Sequence, residues 1–86
     1  MVSSIAADST DKPHVSFTHL TWGVIRYASC NGTAWSVENV TADCGGFNSL
    51  ALDSLDHPHI SYNYGSGGDY LGYATDNGSG WKYTLV

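Results

Sequence analysis

Two aspartate–histidine pairs come closer to chemistry, by residue type and spacing, than anything else in this sequence. Asp8 precedes His14 and Asp53 precedes His59 at the same spacing. A carboxylate and an imidazole held together could transfer protons, and with further ligands they could bind a metal. His57 adds another imidazole near His59, but no third ligand follows at a metal-site spacing, and no serine or cysteine lies in a nucleophile motif. The sequence therefore predicts no metal site, no cofactor and no enzymatic activity.

The pairs recur because the sequence itself recurs. SIAADSTDKPHVSF at residues 4–17 matches SLALDSLDHPHISY at residues 49–62. The match resumes with IRYA at 25–28 against LGYA at 71–74, and with GTAW at 32–35 against GSGW at 78–81. Residues at the same place in both copies are expected to serve the packing and hydrogen bonding of the repeat itself. The residues predicted to have this structural role are Asp8, His14, Trp35, Asp53, His59 and Trp81.

Each copy contains four short segments that are typical of β-strands. Apolar and polar residues alternate along them, and Asn-Gly steps at 31–32 and 77–78 indicate hairpin turns. No segment has the caps and the 3.6-residue periodicity of a helix. We therefore expect one all-β domain over residues 1–86, with four antiparallel strands at 4–40, a connector at 41–48 and four more strands at 49–86. Four antiparallel strands in a repeat of roughly 40–45 residues are typical of a β-propeller blade.

These motifs resemble a family of bacterial β-propeller repeats. Its blades read S-L-A-L-D-S-x-x-x-P-H-I-S-Y, then L-x-Y-A, then G-x-x-W, and both copies carry nearly all of that pattern. Two blades do not close a propeller, which has typically 4–8, so we expect identical chains to complete the ring. The plan is similar to that of small two-blade bacterial lectins, which trimerise. The resemblance favours six blades from a trimer, with eight from a tetramer next, and the first partner it implies is the chain itself.

Aromatic and charged residues that differ between the copies are the candidates for ligand contact. Trp22 has no counterpart in the second copy, and it belongs with tyrosines around the loops between the second and third strands. Aromatic platforms with few charges suit sugars and other neutral ligands. The two-blade lectins bind sugar through Arg, Glu and Trp, which implies a role for one Arg and one Glu of the first copy. The candidate ligand-binding residues are Trp22, Arg26, Glu38, Tyr64 and Tyr70.

Two functions are consistent with this pattern. The first is a non-enzymatic, lectin-like binding module that takes a glycan or another neutral small ligand. The alternative is a structural or orphan propeller assembly, or a fragment of a larger propeller, with no small-molecule ligand. The sequence leaves both open.

Composition excludes several other partners. The chain has 86 residues, a net charge of −5 and only 3 Lys and Arg residues, too few to bind a phosphate backbone or an anionic membrane. No apolar run approaches the roughly 20 residues of a membrane span. No signal peptide is visible, so the cytoplasm is the default expectation, while the family resemblance leaves export open. Cys30 and Cys44 are expected at opposite ends of a strand, as two free thiols.

Overall fold

The structure, a computed structural model, describes residues 3–19, 23–42, 44–64 and 70–86. Within these ranges all regular structure is β-strand and there is no helix, which confirms the all-β prediction. No helix of the described residues is long and apolar enough to cross a membrane. The strands are β1 (Ser3–Ala7), β2 (Pro13–His19), β3 (Val24–Cys30), β4 (Trp35–Thr41), β5 (Cys44–Leu52), β6 (Pro58–Tyr64), β7 (Tyr70–Asp76) and β8 (Trp81–Leu85).

The eight strands form two antiparallel sheets of four strands each. Sheet 1 has the order β1-β2-β3-β4 and sheet 2 has the order β5-β6-β7-β8. Within each sheet, every strand pairs with its neighbours along the chain, as expected for short hairpin connections. The prediction of two four-stranded antiparallel units is therefore confirmed.

The link between the two sheets is shorter than the connector expected over residues 41–48. Strand β4 ends at Thr41 and β5 begins at Cys44. A register shift between Cys44 and Asn48 interrupts the pairing of β5 with β6. The backbone N–H of Phe47 donates to Asn63 Oδ1 at 2.9 Å. The glycines at 45 and 46 lie within the expected connector, and in the structure they belong to an irregular part of the long strand β5, a common position for glycine.

Equivalent turns connect the first two strands of each sheet. Asp11 has φ 61° and Asp56 has φ 62°, a left-handed conformation that aspartate tolerates better than most residues. The backbone N–H of Asp11 donates to the Asp8 carbonyl at 3.0 Å, and that of Asp56 donates to the Asp53 carbonyl at 2.9 Å. The repeated sequence therefore folds into the same backbone conformation in both copies.

Strand alternation gives each sheet two faces of different chemistry. One face of each sheet, which we call the apolar face, is centred on a row of apolar side chains, one from each strand. The other, which we call the Ser–His–Tyr face, carries two serines, a tyrosine and the histidine of the second strand. The apolar rows are Ile5, Val15, Ala28 and Val37 in sheet 1, and Leu50, Ile60, Ala74 and Tyr83 in sheet 2. The rows of the other face are Ser4, Ser16, Tyr27 and Glu38 in sheet 1, and Ser49, Ser61, Tyr73 and Thr84 in sheet 2.

The core lies where the apolar face of sheet 2 packs on the Ser–His–Tyr face of sheet 1. Its buried residues are Ile25, Tyr27 and Val40 from sheet 1 and Leu50, Ile60, Tyr62 and Ala74 from sheet 2. Ser16 Oγ donates to Asn48 Oδ1 at 2.6 Å, and the Leu50 N–H donates to Ser4 Oγ at 3.1 Å. We call this contact the internal junction. It covers one face of each sheet and leaves the apolar face of sheet 1 and the Ser–His–Tyr face of sheet 2 open.

Candidate functional site

Sheet 1 contains an aspartate, a histidine and a tyrosine joined by hydrogen bonds. His14 Nε2 lies 2.9 Å from Asp8 Oδ2, and His14 Nδ1 is hydrogen-bonded to the Tyr27 hydroxyl. The other carboxylate oxygen, Asp8 Oδ1, accepts the backbone N–H groups of Thr10 at 2.8 Å and Lys12 at 2.9 Å. The network therefore fixes the turn after β1 and ties it to β2 and β3.

Sheet 2 repeats this network in a more open setting. His59 Nε2 lies 2.9 Å from Asp53 Oδ2, and His59 Nδ1 is hydrogen-bonded to the Tyr73 hydroxyl. The His59 and Asp53 side chains are 34% and 36% exposed, whereas those of His14 and Asp8 are 11% and 12% exposed. The difference arises because the internal junction covers this face of sheet 1 and not that of sheet 2.

Hydrogen bonds keep both aspartates ionised. The hydrogen bond with His14, followed by that from the Lys12 backbone, lowers the pKa of Asp8 far below its ordinary value. The hydrogen bond with His59, followed by that from the His57 backbone, lowers the pKa of Asp53 to about 2. Both side chains are therefore carboxylates at neutral pH, and a charged acceptor strengthens the hydrogen bonds of the turn.

The tyrosine of sheet 1 is unsuited to act as a nucleophile. Burial raises the pKa of Tyr27 to about 12, and the negative charges of Glu38, Asp76 and Asp8 act in the same direction. The phenol therefore stays protonated and can donate to His14, whose other nitrogen can donate to Asp8. An aspartate–histidine pair activates a hydroxyl group only when that group can lose its proton and reach a substrate. A buried phenol with a raised pKa does neither, so this network suits a structural role.

Among the residues that the structure describes, no three His, Cys, Asp or Glu side chains are grouped so that they could hold a metal ion. Cys30 is a free thiol whose sulfur accepts the Gly32 N–H at 3.4 Å.

The two repeated tryptophans occupy different environments. Trp81 lies at the internal junction, where its ring meets Tyr27 edge to face at a centroid distance of 5.4 Å. Its Nε1–H donates to Glu38 Oε1 at 2.6 Å. Trp35, at the matching position of sheet 1, is 53% exposed on the open apolar face. Both were expected to pack within the repeat, and within one chain only Trp81 has a neighbouring sheet to pack on.

A tyrosine-lined groove opens at one edge of the internal junction. It has a volume of about 340 Å³. Tyr64 stands between two other tyrosines, with ring centroids 6.4 Å from Tyr62 and 5.2 Å from Tyr70. Tyr83 closes the groove from β8, and its hydroxyl donates to the Val40 carbonyl. The groove is lined by Thr41, Ala42, Tyr62, Tyr64, Tyr83 and Leu85.

The predicted ligand residues are only partly brought together. Tyr64 lines the groove and its ring contacts that of Tyr70, which is 59% exposed. Arg26 faces away from the internal junction: its Nε donates to Asn39 Oδ1 at 3.0 Å and its guanidinium lies 6.0 Å from the Phe17 ring centre.

Glu38 pairs with Tyr27 in the sheet, whereas Arg26 pairs with Asn39. Since successive residues of a strand point to opposite faces, Arg26 and Glu38 lie on opposite faces of sheet 1. Trp22 lies outside the described residues.

Sequence reasoning grouped Tyr62 with Tyr64 and Tyr70 beside the loops between the second and third strands but did not include it among the candidate ligand residues. It missed the groove residue Tyr83. Tyr83 matches Val37, and an aromatic that replaces an aliphatic residue in only one copy is the signal that could have identified it.

Comparison of the chain with protein-family models, curated proteins and solved structures finds no match.

Proposed function

We propose that the chain is a non-enzymatic binding module in which each sheet is one blade of a β-propeller and copies of the chain complete the ring. The ligand is a neutral small molecule of the sugar class, taken at the tyrosine-lined groove. The sequence resemblance and the open faces of the two sheets support the ring, and the aromatic lining of the groove supports the ligand class.

Unequal burial of equivalent residues carries the proposal. Leu50 is 7% exposed, and its counterpart Ile5 is 70% exposed. Ile25 is fully buried, and its counterpart Leu71 is 50% exposed. The same apolar positions are buried at the internal junction and exposed on the two open faces. Exposed apolar surfaces of this kind are typical of interaction sites.

Ring closure is the arrangement that covers both ends with the same contact. Each open face matches one side of the internal junction, so a further copy can dock at either end. A contact between different faces closes into a ring when the rotation per unit permits it. Two blades per chain give an even number, and the resemblance to trimeric two-blade lectins favours six blades from three chains.

The groove suits a neutral ring-shaped ligand. Tyr62, Tyr64 and Tyr83 supply apolar ring surface with hydroxyl groups, a combination that stacks on a sugar ring and bonds its hydroxyls. The groove residues named above include no Lys, Arg, Asp or Glu, so the lining favours uncharged ligands.

Mass in solution tests the ring. Light scattering on a sizing column is expected to give the mass of three chains. A mass of four chains would give eight blades, and a stable single chain at every concentration would refute the ring.

A glycan array followed by calorimetry tests the ligand. Tyr64→Ala should weaken the best array ligand about tenfold, since an aromatic contact contributes up to about 1.5 kcal/mol. Leu55→Ala is the matched control, because Leu55 is 73% exposed in the turn after β5. An intact ring with no array ligand would favour the structural assembly over the binding module.

A further inference from the structure

We propose that the copies join head to tail through a contact that repeats the internal junction, with Trp35 of one copy against Tyr73 of the next and Asp11 of one copy against Ser54 of the next. This inference rests on the proposed ring and specifies its interface. The surface on one side is the open apolar face of sheet 1. The surface on the other side is the open Ser–His–Tyr face of sheet 2.

A hydrogen bond between turns gives the first pair of contacts. Within one chain, Ser9 Oγ donates to Asp56 Oδ2 at 2.6 Å and the Ser9 N–H donates to Asp56 Oδ1 at 3.0 Å. The equivalent residues are Ser54 in sheet 2 and Asp11 in sheet 1. Asp11 and Asp56 share the same left-handed backbone, with φ 61° and 62°. Asp11 is therefore placed to accept from Ser54 of the neighbouring copy.

The tryptophan–tyrosine contact gives the second pair. Trp81 meets Tyr27 edge to face, and Tyr27 is held in place by His14. Tyr73 is held by His59 in the same way, on the open face of sheet 2. Trp35 is 53% exposed on the open face of sheet 1. A second contact of the same geometry as the internal junction brings Trp35 of one copy onto Tyr73 of the next.

The chemistry of the faces argues against a two-fold contact. Joining the apolar faces of two sheets 1 would leave the Ser–His–Tyr faces of both sheets 2 uncovered. Joining two Ser–His–Tyr faces would bury Ser61 and His59 against their own copies. Leu71 would meet its own copy there, but neither face would supply the apolar row that covers this kind of face at the internal junction. Only the head-to-tail contact pairs each face with the kind of surface it meets inside the chain.

The contact between copies is expected to be weaker than the internal junction. Glu38, which accepts from Trp81, is matched in sheet 2 by Thr84, so Trp35 meets a hydroxyl group in place of a carboxylate. Tyr83, which donates to a backbone carbonyl, is matched in sheet 1 by Val37, which has no donor. Two hydrogen bonds of the internal junction are thus weakened or lost, and the copies should separate before the sheets do.

Complementary blocking variants test this interface. Ile5→Arg puts a charge on the open apolar face, and Ser61→Arg puts one on the open Ser–His–Tyr face; both residues are exposed in the single chain. Each variant alone should have the mass of one chain by analytical ultracentrifugation. An equimolar mixture should form a two-chain complex, because each partner keeps one of the two faces that meet.

The control is Ser79→Arg, which adds the same charge in the exposed turn between β7 and β8 and should assemble like the unmodified chain. If either blocking variant misfolds, as judged by thermal unfolding, Trp35→Glu and Thr84→Glu provide a second pair on the same faces. Either blocking variant forming a dimer alone would show a two-fold contact and overturn the inference. So would a mixture that stays at one chain at the highest concentration while the unmodified chain assembles. An unmodified chain that never assembles would refute the ring itself.

Discussion

The two sheets have nearly the same sequence pattern and backbone, but their equivalent residues differ widely in burial. Val40 is 3% exposed in sheet 1, and Val86, its counterpart in sheet 2, is 77% exposed. On the other face the order reverses, with Leu50 of sheet 2 buried and Ile5 of sheet 1 exposed. Burial in this molecule is therefore decided by which face has a neighbour, and the sequence of a single repeat cannot determine it.

A second difference lies at one position on the apolar faces. In sheet 2 this position is Gly72, and the ring of Tyr62 fills the space beside it. A Cβ at Gly72 would lie 2.5 Å from a carbon of the Tyr62 ring. In sheet 1, Arg26 is equivalent to Gly72 and Phe17 is equivalent to Tyr62. The Arg26 guanidinium lies over the Phe17 ring, 6.0 Å from its centre. On the covered face a glycine leaves room for the Tyr62 ring. On the open face no such room is needed, and the Arg26 side chain lies along the surface of the sheet.

The largest expected effect separates the covered face from the open one. Leu50→Ala should lower the free energy of unfolding by about 3 kcal/mol, because it removes a buried side chain from the core. Ile5→Ala, at the equivalent position, should cost less than about 1 kcal/mol in a dissociated chain. Urea unfolding in the Ser61→Arg background measures both. If the two variants lost equal free energy of unfolding in the dissociated chain, the difference in burial would be contradicted. If they lost nearly equal free energy in the assembled protein, Ile5 would be buried there by the contact between copies.

The glycine comes next in size. Gly72→Ala should cost about 2 kcal/mol, since the added methyl group overlaps the buried Tyr62 ring and forces it to move. Arg26→Ala is the matched substitution in sheet 1 and should cost less than about 1 kcal/mol, because that face is open. Thermal unfolding of the two variants distinguishes them. An unaffected Gly72→Ala variant would mean that the Tyr62 ring has room to rotate.

The tryptophan hydrogen bond is expected to have a smaller effect. Trp81→Phe keeps an aromatic ring against Tyr27 but removes the donor to Glu38, at a cost of about 1 kcal/mol for a bond that is exposed to solvent. Trp35→Phe serves as the control, because among the described residues no hydrogen bond joins the Trp35 side chain to sheet 2. The double variant Trp81→Phe with Glu38→Gln should be no less stable than Trp81→Phe alone. A further loss would show that Glu38 stabilises the fold by another contact.

The repeat was sufficient to predict the strands, and it predicts a structural role for His14 and His59. It could not supply Tyr27 as the histidine's partner, because that contact depends on the register between β2 and β3. The bond between Ser9 and Asp56 joins residues far apart in sequence, and its prediction requires the packing of one sheet on the other.

The candidate ligand residues were harder to predict than the strands. Arg26 and Glu38 share a strand pair, but alternation places them on opposite faces. The sequence could predict only part of the groove, because its lining depends on how β4 and β8 meet at the internal junction. Tyr64 could be identified by its loop, whereas Tyr83 contributes through a contact with the other sheet.

The smallest expected effect is the contribution of Tyr27 ionisation to stability, which appears only at alkaline pH. Burial raises the pKa of Tyr27 from 10.0 to about 12, so folding favours the protonated phenol. The stabilisation is complete below pH 10 and is lost as the pH rises towards 12. Unfolding midpoints should therefore fall over that window, and Tyr27→Phe should remove this component of the fall. In the Trp81→Ala variant the fall should still begin near pH 10, but it should be smaller and should end at a lower pH. Tyr27 loses the ring that covers it, so its folded pKa moves back towards 10.0. An unchanged alkaline limb in that variant would mean that the covering comes from elsewhere in the junction. It would also remove the basis for the proposed contact of Trp35 with Tyr73 of the neighbouring copy.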